Sequence, residues 1–217
     1  MHIAVLGSTG ATGRQLVTQA LERGHTVTAL ARTPAKLNLP SSPALRPVRA
    51  DVAVPDAIAA ALTDVDVVVS GLGHATGSAP DVLAAGARAV SATQTPAIDE
   101  AGHARSKPRL VWLGAWGTGE SAVAAGPLVR WLLRVGLSKE LPDKTAADRV
   151  ILAAGGTVFH AGPLTNGPLS PSRHTVLLKD APRSLFPRTI SRATVAAAML
   201  DEAEHPRHGG HIVIPQR

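Results

Sequence analysis

His2-Ile3-Ala4-Val5-Leu6-Gly7-Ser8-Thr9-Gly10-Ala11-Thr12-Gly13 is an apolar run, then a glycine turn, then the start of a helix-patterned segment that reaches Gly24. Strand, tight glycine turn and helix in that order are how an open α/β sheet builds a phosphate site. The glycines let backbone N–H groups approach a pyrophosphate, and the helix N-terminus adds a favourable partial positive charge. The spacing is G-x-x-G-x-x-G rather than G-x-G-x-x-G, so the generic dinucleotide fingerprint is met only in part. The strand before it and the helix after it carry the assignment.

Outward from this stretch, strand-like and helix-like runs alternate, the pattern of a parallel sheet covered by helices on both faces. Periodicity and breakers predict strands over 2–6, 25–31, 45–50, 65–70, 109–113, 157–160, 175–178 and 211–214. Helices are expected over 12–24, 55–63, 80–95, 127–136, 142–154 and 192–204. The run at 65–70 is almost wholly apolar, as a strand buried on both faces requires. The Gly-rich stretch 114–126 and the Pro/Gly stretch 161–172 read as loops. No repeat or linker divides the chain. The expectation is one Rossmann-like doubly wound α/β domain over 1–217, with a substrate region drawn from about 114–126 and 161–190.

Bulk properties narrow the function classes. A chain of 217 residues with 45% hydrophobic and 18% charged residues suits one globular domain. No apolar run approaches the roughly 20 residues of a membrane helix, and a strand beginning at His2 leaves no room for a charged leader. The absence of cysteine removes disulfides and thiol chemistry. A cytoplasmic protein is expected. The net charge of +6 comes from scattered residues, and with two Phe, three Trp and no Tyr there is no base-stacking platform. Nucleic acid is therefore not the expected partner; a small-molecule substrate and an anionic cofactor are.

The cofactor constellation follows from position. Gly7, Thr9, Gly10, Ala11, Thr12 and Gly13 are expected to cradle a diphosphate. The second strand ends in Arg32-Thr33, where an acidic residue would accept bonds from ribose hydroxyls. A guanidinium instead matches a 2′-phosphate in charge and shape, and Thr33 adds a hydroxyl, so NADP(H) is expected over NAD(H). Asp51-Val52 closes the third strand at the adenine end, with a turn or helix N-cap aspartate as the alternative. Gly71-Leu72-Gly73 follows the fourth strand at the carboxyl edge, where small residues let a ribose and diphosphate lie against backbone.

In this order Gly7-to-Gly13, Leu30-Ala31-Arg32, Ala50-Asp51-Val52 and Val69-Ser70-Gly71-Leu72-Gly73 resemble the atypical short-chain dehydrogenases. Within these the chain is similar to the NmrA-like NAD(P)-binding group that includes biliverdin reductase B, or flavin reductase. Gly117-Thr118-Gly119-Glu120-Ser121, Asp143-Lys144, Gly162 to Pro168 and Ile212 to Pro215 extend the likeness across nearly the whole chain. The resemblance implies an NADPH-dependent reductase handling a flavin or tetrapyrrole-like substrate, and the acceptor expected here is a small flat molecule such as a flavin, a quinone or a related carbonyl compound. Three departures stand out. The Tyr-x-x-x-Lys pair of short-chain dehydrogenases is excluded because the chain has no tyrosine. Ala115 stands near the place of a frequent serine, and Leu164-Thr165 replaces the histidine-bearing loop of the flavin reductase.

Other groups must then carry any proton transfer. Lys144 opens a helix facing the crevice in relatives, although an i, i+4 pair with Asp148 would also explain it. His74 lies just beyond Gly73 at the expected nicotinamide end. His160, at a strand end, reads as structural. Trp116, Leu164 and Thr165 are the substrate candidates, and Trp131 with Leu128, Leu132 and Val135 reads as core. His103, His174, His205, His208 and His211 show no metal-ligand spacing, and no metal is expected. Three functions remain open: a reductase, a catalytically silent NADP(H)-binding sensor, and an isomerase or epimerase that uses the cofactor transiently.

Overall fold

Strand β1 (His2–Leu6) pairs in parallel on both sides, with Val5 opposite Ala29 of β2 (Thr26–Ala31) and Val69 of β4 (Val67–Ser70). The computed structural model describes residues 1–75, 77–94, 107–121, 140–181 and 188–217. The remaining strands are β3 (Leu45–Arg49), β5 (Arg109–Ala115), β6 (Thr157–Ala161), β7 (Leu164–Thr165), β8 (His174–Leu177), β9 (Ile190–Ser191) and β10 (Ile212–Gln216). The main sheet runs β3-β2-β1-β4-β5-β6-β10-β8, all parallel except β8. Strands β7 and β9 form a separate two-stranded parallel pair. The chain order reverses between β1 and β4, which puts a topological switch point, and hence a ligand crevice, at their carboxyl ends.

Alternation along the strands divides the core in two. Ile3 and Val5 face α1 (Ala11–Glu22) and α5 (Arg192–Glu204), meeting Leu16, Val17, Val195 and Met199. Ala4 and Leu6 face the other layer: α2 (Pro55–Ala61), α3 (Val82–Ala92) and α4 (Leu141–Ala153), with Ile58, Leu83, Val90 and Ile151. The doubly wound α/β expectation is the observed fold.

The element boundaries differ where hydrogen bonds override the sequence pattern. His25 donates its N–H to the Ala20 carbonyl (3.0 Å), closing the end of α1, so β2 begins at Thr26. Strand β5 runs two residues past 113, because Ala115 pairs with Ala161. The segment 161–172, expected as loop, contains β7, which gains its partner only from β9. The expected helix at 127–136, with Leu128, Trp131, Leu132 and Val135, lies outside the described residues, as do His103 and part of each expected substrate loop.

Helices α1 and α5 are also joined at their ends by ion pairs. Arg23 Nη1 lies 3.0 Å from both Asp201 Oδ1 and Glu204 Oε2, and His25 Nε2 lies 2.8 Å from Glu204 Oε1. Arg173 grips Asp201 with two bonds, of 2.8 and 3.0 Å. Burial alone would raise Glu204, but the hydrogen bonds from His25 and Arg23 outweigh it and hold the carboxyl below its ordinary 4.5. A depressed carboxyl contributes stability above its unfolded value and loses it as pH falls through the folded one. Glu204→Gln is therefore expected to be less stable than the parent at pH 7, by about 0.5–1 kcal/mol for so exposed a pair. The gap should close below about pH 4 in urea titrations. An equal gap at both pH values would exclude the pair as its source.

Candidate functional site

Three backbone segments meet at the switch point with no room for a side chain between them. Gly7 has φ +73°, and a Cβ there would lie 2.9 Å from Leu72 Cα. A Cβ on Gly13 would lie 2.1 Å from the Gly7 carbonyl oxygen, and one on Gly71 would lie 3.1 Å from the Gly13 nitrogen. Gly7 and Gly13 thus fold the turn onto α1, while Gly71 brings the loop after β4 against it. Ser8 fixes the turn from beneath: it is fully buried and its Oγ donates to the Leu30 carbonyl at 2.9 Å.

What this turn presents is a helix end without a cap. Gly10 stands at the N-cap of α1, no side chain bonds its first turn, and no acidic residue lies there. Two of the other helices of similar length are served by side chains, while α4 has no side-chain cap but carries the acidic Asp143 in its first turn. Ser191 Oγ accepts from Thr194 N–H (3.1 Å) at the start of α5, and Asp143 accepts from Leu83 and Ala84 N–H at the start of α3. An uncapped helix N-terminus beside glycine backbone suits a diphosphate. Gly10 and Ala11 are exposed there, Thr9 is half-buried, and Thr12 and Gly13 are buried.

At the end of β2, Arg32 and Thr33 are both exposed, and Arg32 has no hydrogen-bond or ion-pair partner among the described residues. Parallel register places Arg49 opposite Ala31, so a second exposed guanidinium lies on the neighbouring strand. Arg14, which the sequence reading passed over, is exposed in the first turn of α1 and donates to the Thr9 carbonyl. Its position directly after the third glycine was the available signal. Asp51 Oδ1 accepts from Ala53 N–H (3.0 Å), forming a turn, and the Val52 side chain is buried against Leu72 and α3.

The loop after β4 leads away from Gly71, Leu72 and Gly73 to His74, whose side chain is 15% exposed. His74 Nε2 lies 3.0 Å from Asp143 Oδ2 on α4, off the line of a completed hydrogen bond. Asp143 is buried, and its two oxygens accept from Leu83 N–H (2.9 Å) and Ala84 N–H (2.8 Å). Lys144 does not pair with Asp148. Its Nζ lies 2.7 Å from Glu140 Oε2, one turn in the other direction, because Asp148 points into the protein. The Lys144 hydrogen bond holds the Glu140 carboxyl below its ordinary 4.5 against the opposing effect of burial, helped by the charges of Lys144 and His74.

Deeper in the same region, Asp148 Oδ2 lies 3.0 Å from His160 Nε2, while His160 Nδ1 lies 2.7 Å from Ser121 Oγ. Thr118 Oγ1 donates to the same Asp148 oxygen at 3.0 Å. The connectivity Ser-His-Asp is that of a hydrolase, but Ser121 and His160 are wholly buried. Ser121 Oγ is also committed, donating to the Thr118 carbonyl and accepting from Gly117 N–H. No substrate can reach it, so the cluster clasps the 114–121 segment to β6 and α4. Trp116 is buried against Leu178 and Ile214, with its Nε1 unpaired among the described residues. Leu164 packs on the core of the α1/α5 layer and Thr165 is exposed.

The family model described as NAD(P)H-binding matches residues 7–206, and the chain belongs to that family. The photosystem II assembly factor Ycf39 of Synechocystis is 35% identical over 69 residues, which are 32% of this chain and 21% of that protein. The chain thus matches only about a fifth of that relative's length. A short-chain dehydrogenase/reductase of Veillonella parvula, solved with NADP, has a TM-score of 0.75 at 15% identity, covering 100% of this chain and 94% of its own. ChuY, an anaerobilin reductase of Escherichia coli O157:H7, has a TM-score of 0.73 at 17% identity, covering 99% of this chain and 96% of its own. Likeness at such identities establishes the Rossmann-like fold. Among the described residues no helix is long and apolar enough to cross a membrane.

Proposed function

We propose that the protein is an NADP(H)-dependent oxidoreductase that reduces a small flat acceptor such as a flavin, a quinone or a related carbonyl compound. The observation that carries this reading is Arg32, exposed and without a partner among the described residues at the end of β2. It stands beside a glycine cradle whose helix is left uncapped. Gly7, Thr9, Gly10, Ala11, Thr12 and Gly13 hold the diphosphate, with Arg14 beside it. Arg32 and Thr33 take the 2′-phosphate, and Asp51 and Val52 border the adenine. Gly71, Leu72 and Gly73 let the nicotinamide half lie along backbone, with His74 and Lys144 at its far end. Trp116, Leu164 and Thr165 border the acceptor. The NADP-bound neighbour and the reductase among the similar folds support this choice.

When bound, the reduced cofactor supplies a hydride; the protein's own contribution is to orient the acceptor and provide any further proton. Arg32→Ala tests the cofactor assignment. A charge-assisted bond to a phosphate is worth about 1.5–3 kcal/mol, so NADPH affinity is expected to fall about 10- to 100-fold. NADH affinity should change less than about threefold, since the two cofactors differ only in the phosphate that Arg32 would read. Unchanged preference overturns NADP(H) specificity.

A second reading, a catalytically silent NADP(H)-binding sensor, is favoured by the absence of tyrosine and by Ala115 at the end of β5. Following NADPH absorbance with FMN, riboflavin and a quinone panel separates the two. Turnover supports the reductase, and tight binding without turnover supports the sensor.

A further inference from the structure

We infer that His74 and Asp143 form a proton-delivering dyad at the crevice, with His74 Nδ1 as the proton carrier and Asp143 as the residue that positions it. This rests on the reductase reading above and assigns the step that the missing tyrosine leaves without a donor.

The argument starts from the two ring nitrogens of His74, which have different surroundings. Nε2 is buried and lies 3.0 Å from Asp143 Oδ2. Nδ1 has no partner among the described residues, and it is not one of the buried unpaired atoms. A carboxylate facing one nitrogen favours the proton there, which leaves the other nitrogen to exchange protons with whatever occupies the crevice. Asp143 is itself immobilised, because both of its oxygens receive backbone N–H groups from the first turn of α3. The carboxylate that orients His74 is thus fixed by helix α3, not by a flexible side-chain contact.

The backbone contacts tie the loop that carries this ring to the glycine cradle. Leu72, two residues before His74, lies backbone to backbone against Gly7, and Gly71 lies against Gly13. The loop that carries His74 is therefore the wall of the glycine cradle, continued outward from the sheet.

Lys144 is the other cation nearby, and its geometry disfavours it as the donor. Its Nζ is held by Glu140 at 2.7 Å, and Glu140 stays ionised because that bond lowers its carboxyl. Asp143 and Glu140 are the acidic groups that face His74, with Lys144 bound behind Glu140. Lys144 acts as a fixed charge, while His74 has a free nitrogen. In the balanced step the acceptor takes two electrons and one hydrogen from the reduced cofactor and one proton from His74 Nδ1. The ring, being 15% exposed, recovers its proton from solvent.

The test has one arm without cofactor and one with it. In protein labelled with 15N-histidine, nitrogen NMR at alkaline pH is expected to show His74 as a single tautomer with the proton on Nε2. In Asp143→Asn the two nitrogens should give averaged shifts. Averaged shifts in the parent, or a proton fixed on Nδ1, overturn the dyad. In the second arm, His74→Gln is expected to lower kcat with NADPH and FMN about 100-fold or more, the range of general acid catalysis. It should also remove the fall in rate toward alkaline pH, while NADPH Kd changes less than about threefold and added imidazole partly restores His74→Ala.

Asp143→Asn also perturbs the start of α3 and needs a melting check, whereas His74→Gln leaves that cap intact. Failure of the parent to turn over any acceptor overturns the reductase reading and the proton role together. Turnover indifferent to His74 at every pH overturns the dyad alone.

Discussion

Gly13→Ala is expected to abolish useful NADPH binding and to destabilise the fold, although helix propensity alone predicts the opposite. Gly13 lies inside α1 with no left-handed backbone, so alanine there should gain about 1 kcal/mol from propensity. The clash decides the sign. The added Cβ would sit 2.1 Å from the Gly7 carbonyl oxygen and 2.8 Å from Ser8 Cα, and both neighbours are backbone. Neither can rotate away, and Ser8 is tied to Leu30 by two bonds, one from its hydroxyl and one from its N–H.

The turn and α1 must therefore separate, at the upper end of the 1–3 kcal/mol typical of overpacking, or about 3 kcal/mol. The same movement carries the cradle's N–H groups out of register. We expect NADPH affinity to fall at least about 100-fold, near 2.7 kcal/mol. Gly24→Ala is the control, because Gly24 has φ +79° but open space around its Cβ position. It should cost only the backbone strain, about 1 kcal/mol, and leave NADPH affinity unchanged. Isothermal titration with urea denaturation on both variants checks this. Equal affinities for the two variants would exclude the close-approach role of Gly13.

The glycine turn was legible in the sequence because its determinants are local. Strand, turn and helix follow within about two dozen residues, and each glycine's task is fixed by neighbours in chain or on an adjoining strand. The doubly wound order was legible for the same reason, since continuous apolar runs such as 67–69 can be buried only between two helical layers. What escaped the sequence depends on distance. Asp143 receives the N–H groups of Leu83 and Ala84 from about sixty residues away, and no motif links the two segments. Lys144 has acidic residues four positions away in both directions, and only the burial of Asp148 decides that the partner is Glu140. The short strand β7 was invisible because its pairing partner, β9, lies beyond β8.

Removing His160 is the other substitution with a large expected cost, and its cost depends on Asp148. His160 is wholly buried, and Asp148, in the same cluster, has one oxygen shared by His160 and Thr118 and a second with no partner among the described residues. His160→Leu leaves that carboxylate buried with a single hydroxyl donor. Breaking a buried pair in this way costs about 3–5 kcal/mol, mostly as the penalty of the stranded charge. Asp148→Leu removes the charge but strands the His160 ring nitrogen, while the Thr118 hydroxyl keeps the Ala115 carbonyl at 2.8 Å. We expect the double variant His160→Leu/Asp148→Leu to be more stable than the sum of the single losses by at least about 2 kcal/mol, a coupling typical of residues in one network. Urea midpoints for the parent, both single variants and the double variant measure it. Additivity to within about 0.5 kcal/mol would mean that the two residues act independently. The clasp also explains a neighbouring choice: a Cβ on Gly114 would lie 2.8 Å from His160 Cδ2 and 3.0 Å from Asp148 Oδ1. In the parent, Gly114→Ala should therefore be destabilising, whereas beside His160→Ala the space vacated by the ring should remove most of that cost.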